Sequence, residues 1–429
     1  MNDPRFLTVK LLGKTFRSGS YSNIQLSAGL DSSDLDERGK KLCSALYYGV
    51  IERRITLDHI ISGLSSRPIN KLDDEIVNIL RCGIYQIMYM DSVPDNAAVN
   101  ESVNLAKQFG KSSAAGMVNA ILRNFIRNGK QLTLPEYAIK RTSIEYSAPE
   151  ELVRELMKND ALEVLTCKHR SGAYIRRNPL KCTAEEFDAR LAERLGRENV
   201  RRVNGLPDCW LVSGDMIHTN AFENGWFHVQ SAASQYICTA LAPTENDRVL
   251  DICAAPGGKT FTMAEMMNGK GEVYAFDLHE KRVKLIREGA ERLGLANIRA
   301  AAGDSRKFDP ELPQFTKILC DVPCSGLAVI SIKPEIKYKN ISDFDGLPEI
   351  QYNIANNALN YLAVGGELVY STCTIRREEN EKVCARLLHA HPELEPVELP
   401  ATGIPADRRT ELPYRSVNGF FVAKFRRRV

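Results

Sequence analysis

The sequence has almost no charge imbalance: 57 Lys and Arg against 54 Asp and Glu leave a formal charge of +3 over 429 residues. A uniformly basic chain is excluded, so any nucleic-acid contact needs a local basic face. Long apolar runs are missing too. No stretch reaches the roughly 20 apolar residues of a membrane span, and the N-terminus MNDPRFLTVK lacks a charged region followed by an apolar core. No membrane association is expected, and the cytoplasm is the expected location. The 11 cysteines are odd in number and scattered, without the dense spacing of a disulfide scaffold, which points to reduced thiols. Cys320 and Cys324 are the closest pair, with no second Cys/His pair at ligand spacing, so no metal site is expected.

What is present begins with RVLDICAAPGGKT, Arg248 to Thr260. Val249, Leu250 and Ile252 read as a short strand, Pro256, Gly257 and Gly258 as a tight turn, and the residues after Lys259 and Thr260 as a helix. Glycines let the backbone approach a ligand, and the helix start offers N–H groups to polar atoms. A dinucleotide fingerprint needs G-x-G-x-x-G, and a P-loop would need glycine where Cys253 stands. Both are absent. The next strand, EVYAFD, ends in Asp277, an acid suited to ribose hydroxyls. The pair suits S-adenosylmethionine, whose ribose is unphosphorylated. A purely structural strand-to-helix turn is the alternative on these two segments alone.

A hydrophobic share of 44% and a charged share of 26% are those of a soluble globular protein, and 429 residues call for two or three domains. From about residue 3 to 130 the pattern is helical, with Ile76, Leu80, Ile84, Ile87 and Met88, then Val99, Val103 and Ala106, then Val118, Ile121, Leu122 and Phe125 at helical spacing. Arg53, Arg54, Arg81, Lys107, Lys111, Arg123 and Arg127 form either an RNA-facing surface or an ordinary solvated face. Between about 140 and 230 a small α+β connector is expected, with a helix opening at EYSAP, strands near 173–178 and 209–212, a helix over 184–195, and a turn and strand in FENGWFHVQ. There Arg176, Arg177, Asn178 and Lys181 either touch a phosphate backbone or simply lie on the surface.

From Arg248 onward strands and helices alternate, which calls for a parallel sheet covered on both faces. Strands are read at 249–253, 273–277, 298–302, 318–322 and 367–371, with an edge hairpin from 394–399 and 420–425. Ligands of such sheets lie outside the carboxyl ends of the strands. Asp277, Gly303 and Asp304, DVPCSG (Asp321 to Gly326) and STCT (Ser371 to Thr374) all fall at those ends. Cys324 and Cys373 therefore face one crevice. A lone strand-end cysteine is usually packing, whereas two at adjacent ends point to chemistry. The chemistry that needs them is methylation at carbon 5 of a pyrimidine, an atom too weakly nucleophilic to react unaided. A thiolate adding at carbon 6 pushes electron density to carbon 5, and a carboxylate such as Asp321 can bond the base's N3 and N4 edge. Lys259 either works at the base as well or only supports the loop.

YYGVIERRITLD, LRCGIYQIMYMDSVPDNAAVNESVNLAK and GMVNAILRNFIR resemble the NusB-like RNA-binding bundle. CAAPGGKT, DVPCSG, STCTIRREEN and GFFVAKF resemble the signature motifs of RNA cytosine-5 methyltransferases, and the combination resembles the bacterial 16S ribosomal RNA methyltransferase B family (RsmB, Fmu/Sun type) over nearly the whole chain. The resemblance implies a multidomain protein: an all-α NusB-like RNA-binding domain over 1–135, an α+β connector over 136–235, and an α/β Rossmann-like methyltransferase domain over 236–429. It implies Cys373 as nucleophile, with Cys324 resolving the covalent adduct. It also implies an S-adenosylmethionine site lined by Cys253, Ala254, Ala255, Pro256, Gly257, Gly258, Lys259, Asp277, Asp304 and Asp321, and a monomer acting on 16S ribosomal RNA. The chain departs from the family's usual pattern at Ala328, at Ser331 and Ile332, at Asn418, and at Ser231 and Ala232. Two readings compete: an RNA-binding factor with an inactive methyltransferase domain, disfavoured by the presence of all four catalytic candidates, and a P-loop hydrolase, disfavoured by Cys253.

Overall fold

The computed structural model describes residues 3–18, 22–166, 172–214, 216–217, 219–400, 415–417 and 419–428. Asn418 lies outside the described residues. Two compact units divide the chain: Met1–Cys167 with Ile330–Ile341, and Lys168–Val329 with Ser342–Val429.

The first unit is built of helices α1 (Pro4–Ser18), α2 (Ser22–Asp31), α3 (Glu37–Glu52), α4 (Arg54–Leu64), α5 (Asp74–Tyr89), α6 (Asp95–Gln108), α7 (Ala115–Arg127), α8 (Ala138–Tyr146) and α9 (Glu150–Lys158). The apolar positions expected from spacing form its core: Ile76, Leu80, Ile84 and Ile87 of α5 pack with Val99 and Ala106 of α6 and with Val118, Leu122 and Phe125 of α7. Asp36 caps α3, its carboxylate accepting from the Gly39 N–H at 2.7 Å. Gly49 lets α3 and α5 close, because a Cβ there would stand 2.0 Å from the Tyr85 ring.

Ile330–Ile341 belongs to this unit although it falls within 236–429 in sequence. The buried Lys337 Nζ donates to the carbonyls of Glu52 and Tyr146, each at 3.2 Å, and burial pulls its pKa down to about 8. The Tyr338 hydroxyl donates to the Ile51 carbonyl at 2.8 Å, with the Arg54 guanidinium 3.8 Å above its ring. Several of the basic residues considered for RNA are thus committed. Arg54 packs on Tyr338, Arg81 grips Asp58 with two bonds of 2.7 and 2.8 Å, and Lys111 pairs with Asp73 at 3.1 Å. Lys107, Arg123 and Arg127 are exposed.

The second unit holds two sheets. The smaller comprises β1 (Ala173–Arg177), β2 (Val200–Arg202), β3 (Cys209–Val212) and β4 (Phe227–Val229) in the order β2-β3-β1-β4, all antiparallel. Helix α10 (Ala184–Leu195) packs on it, opened by a reciprocal cap between Thr183 and Glu186, and the short α11 (Asn220–Glu223) precedes β4. Helix α12 (Ala232–Leu241) leads to the larger sheet. That sheet is formed by β5 (Arg248–Asp251), β6 (Glu272–Asp277), β7 (Ile298–Ala302), β8 (Phe315–Asp321), β9 (Leu362–Thr372), β10 (Leu394–Pro396), β11 (Arg415–Val417) and β12 (Phe420–Arg427). The order is β10-β12-β9-β8-β5-β6-β7, parallel from β9 to β7, with β12 antiparallel on β9. Helices α13 (Gly258–Met266), α14 (Glu280–Leu293), α15 (Leu347–Leu359) and α16 (Glu381–Ala390) complete this unit.

The connector residues considered for phosphate contact are placed otherwise. Arg176 is buried, its Nε 2.7 Å from Glu265 Oε2 on α13, and Arg177 pairs with Asp208 at 2.5 Å. Asn178 is buried too, donating to the carbonyls of Gly225 and Leu293 at 3.0 and 2.9 Å. Arg176 and Asn178 join the small sheet to α13 and α14, whereas Arg177 bonds beside the small sheet itself; Lys181 alone of the four is exposed. Because Glu265 has no exposed surface, Arg176→Met strands a buried carboxylate and should destabilise the protein by about 3–5 kcal/mol in urea unfolding. Arg176→Met combined with Glu265→Leu should recover most of that loss. Equal stability of the single variant and wild type would show that the pair is not structural.

Candidate active site

Strand β5 has β6 on one side and β8 on the other, so the chain reverses direction across the sheet at β5. Such a switch point opens a crevice at the carboxyl ends of the strands. The loop after β5 and Asp321 at the end of β8 are therefore neighbours. Lys259 Nζ lies 2.6 Å from Asp321 Oδ2, and the Ser371 hydroxyl donates to Asp321 Oδ1 at 2.7 Å. The Asp321 carboxylate is held from both sides. Burial pulls the Lys259 pKa down, and Asp321 more than restores it, so the ammonium stays charged.

Register between the parallel strands β8 and β9 sets Asp321 opposite Ser371. The residues just beyond them meet as well: Cys324 Sγ and Cys373 Sγ are 2.9 Å apart, and the Cys373 N–H donates to Cys324 Sγ at 3.2 Å. The hydrogen bond to Cys373, followed by burial, raises the Cys324 pKa well above the usual thiol range. Two thiols so close titrate as a pair. Cys253 and Cys320 are also raised, chiefly by burial, which makes them inert packing groups.

A buried polar frame supports the thiols. Glu379 has no exposed surface; its Oε2 accepts from the Ser325 N–H and from Gln351 Nε2, both at 2.9 Å. Ser325 and Thr374 hydroxyls share a 2.6 Å bond, and Asn380 bridges Thr372 and the Thr374 carbonyl at 2.6 and 2.9 Å. Both cysteine loops thus hang on one network.

Residues 238–426 match the family described as 16S rRNA methyltransferase RsmB/F, and residues 2–127 match the NusB family. The chain is 34% identical to the probable ribosomal RNA small subunit methyltransferase B of Bacillus subtilis (strain 168), over 99% of this chain and 98% of that protein. It belongs to the 16S rRNA methyltransferase RsmB/F family. In fold it is similar to the crystal structure of PH0851, with a TM-score of 0.82 and 22% identity over 99% of both chains. It is also similar to the methyltransferase homolog protein from Pyrococcus horikoshii, with a TM-score of 0.57 and 26% identity over 69% of this chain and 100% of that one.

Family membership makes S-adenosylmethionine the cofactor, and the residues at the crevice fit it. Gly257, at φ +109°, is required because a Cβ there would stand 2.4 Å from the Phe261 ring. Helix α13 begins at Gly258, presenting first-turn N–H groups suited to a carboxylate. Asp277, an acceptor for hydroxyls, is oriented by Arg282 at 3.0 Å, whose other branch donates to the Ala255 carbonyl at 2.8 Å. Asp304 differs from its neighbours: Arg306 grips both its oxygens at 2.8 and 2.9 Å and pulls its pKa down to about 2. Among the described residues no group of acids, histidines and cysteines is placed to hold a metal ion, and no helix is long and apolar enough to cross a membrane.

Several contributors were missed in the sequence: Arg282, Gln351, Glu379 and Asn380, and also Asp251, whose carboxylate accepts from Thr260 at 2.7 Å. The available signal was an acid ending an apolar strand, and two polar residues inside STCTIRREEN. Burial raises the Asp251 pKa from 3.8 to about 7. For an acid held protonated in the fold, the associated stability is complete below 3.8 and is lost as the pH rises through about 7. Asp251→Asn keeps an acceptor for Thr260 and removes the titration. Its stability relative to wild type should therefore climb between about pH 4 and 7 in urea titrations. Parallel curves would show that Asp251 ionises at its ordinary pH.

Proposed function

We propose that the protein methylates carbon 5 of one cytosine in 16S ribosomal RNA through a covalent adduct, with Cys373 as nucleophile and Cys324 in its resolution. The observation that carries this reading is the 2.9 Å approach of the two thiols at the ends of adjacent parallel strands, beside the Asp321 carboxylate. S-adenosylmethionine, when bound, supplies the methyl group as a sulfonium.

The residues then divide the work. Cys373 bonds through sulfur to carbon 6, the carbon 5–carbon 6 π pair moves to carbon 5, and that pair takes the methyl group. The carbon 5 proton leaves to a base, the pair returns to the ring, and the sulfur–carbon bond breaks to restore the thiolate. Cys324 is suited to accept that proton. Once Cys373 is bonded to carbon it carries no negative charge, so the hydrogen bond and repulsion that hold the Cys324 proton are relieved, that proton passes to solvent, and the resulting Cys324 thiolate takes the carbon 5 proton. Asp321, fixed by Lys259 and Ser371, faces the base's N3 and N4 edge, and Lys259 acts by holding Asp321. Cys253 to Gly258 with Lys259, Asp277, Asp304 and Asp321 line the cofactor, Asp304 through its pair with Arg306.

The reading assigns RNA binding to residues 1–135 and to the connector 136–235, and catalysis to 236–429, in a monomeric cytoplasmic protein. The base inside a folded RNA must be unstacked to reach the thiols. The test incubates the protein with tritiated S-adenosylmethionine and unmodified small-subunit ribosomal RNA. Cys373→Ala should transfer no methyl group, and Cys324→Ala should accumulate a protein–RNA adduct that survives denaturation. Full transfer by Cys373→Ala sinks the assignment, and no transfer by wild type favours the binding-factor reading. RNA affinity should also fall steeply as salt is raised, measured by filter binding, because phosphate contacts release counterions.

A further inference from the structure

A cavity of about 260 Å³ opens between α10 and the α11–β4 turn, lined by Phe187, Arg190, Arg194, Met216, Asn220 and Trp226 among others. It lies wholly within the second unit. The volume falls just under the roughly 300–1,000 Å³ of small-molecule clefts, enough for one flat ring system. Its polar lining is cationic. The Arg190 guanidinium lies 4.0 Å over the Trp226 ring, a contact that fixes the group without neutralising it. Two carboxylates of the same helix are already engaged, Asp188 by Arg197 and the Trp210 indole N–H and Glu186 by Thr183, and Glu193, beside Arg194 in sequence, forms no ion pair with either arginine among the described residues. Among the described residues neither Arg190 nor Arg194 has an ion-pair partner.

We propose that this cavity holds one unpaired nucleotide of the substrate RNA, its base against Trp226 and its phosphates against Arg190 and Arg194. The proposal rests on the RNA methyltransferase reading above. Aromatic faces beside un-neutralised arginines are how single-stranded nucleic acid is bound with little sequence preference. The cavity is also rigidly joined to the catalytic sheet. Arg292, near the end of α14, donates to the Phe222 and Phe227 carbonyls at 2.5 and 3.1 Å and stacks 3.8 Å from the Phe222 ring. Asn178 ties Gly225 to Leu293 at the same junction. A nucleotide held there sits at a fixed distance from the thiols, which gives the RNA a register as well as a grip.

The sequence contains two tryptophans, and Trp210 is fully buried, so ligand-dependent fluorescence reports mainly on Trp226. A short single-stranded oligoribonucleotide should quench it, a mononucleotide should do so far more weakly, and Trp226→Phe should abolish the signal while still binding. Arg190→Gln with Arg194→Gln should raise the KM for ribosomal RNA about tenfold at unchanged kcat and unchanged S-adenosylmethionine affinity. It should also lessen the slope of log affinity against log salt by roughly 1.4, two single-strand phosphates at about 0.7 each. An unchanged KM and salt slope, or quenching by the mononucleotide as strong as by the oligonucleotide, overturns the proposal. Wild-type protein that is quenched by the oligonucleotide but transfers no methyl group supports the pocket and sinks the methyltransferase reading instead.

Discussion

Glu379 is the constraint on which the catalytic end depends. A carboxylate with no exposed surface is costly unless donors surround it, and its donors come from the two places that must be held together. The Ser325 N–H belongs to the loop after β8 that carries Cys324, whereas Glu379 itself follows β9 and Cys373. Gln351 of α15 completes the set and also donates to the Pro323 carbonyl at 2.9 Å. Arg376 lies 3.7 Å from the other oxygen. Taking Glu379 out of water thus holds together the two cysteine loops, whose thiols lie 2.9 Å apart.

The same economy governs the other charges. Lys259, Asp321 and Ser371 form a chain in which each group is useful only because the next fixes it. At the connector, Arg176 spends its charge on Glu265, which makes the small sheet part of the catalytic body. Arginines near one another in sequence consequently have opposite fates. Arg176 is sealed inside, while Arg190 and Arg194 stay exposed, with Arg190 over the Trp226 ring.

The segment Ile330–Ile341 shows a further consequence of burial. It leaves the second unit six residues after Cys324 and returns before α15, and between those points its anchors are a lysine and a tyrosine bonded to helix-end carbonyls. Carbonyls at helix ends lack intrahelical partners, so Glu52 and Tyr146 are natural acceptors. The departures at Ser331 and Ile332 fall within this anchored segment, where Ile332 is exposed.

Legibility followed periodicity and motif. The helices of the first unit, the five parallel strands and the antiparallel edge were readable because buried faces impose spacings of 3.6 and 2.0 on apolar residues. The candidates Asp277, Asp304, Asp321, Cys324 and Cys373 were readable because parallel strands place their functional groups at the same end. Unreadable were contacts between residues far apart in the chain: Arg176 with Glu265, Glu379 with Ser325, Arg282 with Ala255, Lys337 with Glu52. By itself the sequence determined the fold class, the order of the elements and which polar residues and cysteines fall at the strand ends, since these depend on local patterns. Tertiary structure alone decided which charges are buried and which remain free, and that two thiols 49 residues apart meet. Desolvation and hydrogen-bond geometry are properties of the packed chain, and no local pattern encodes them.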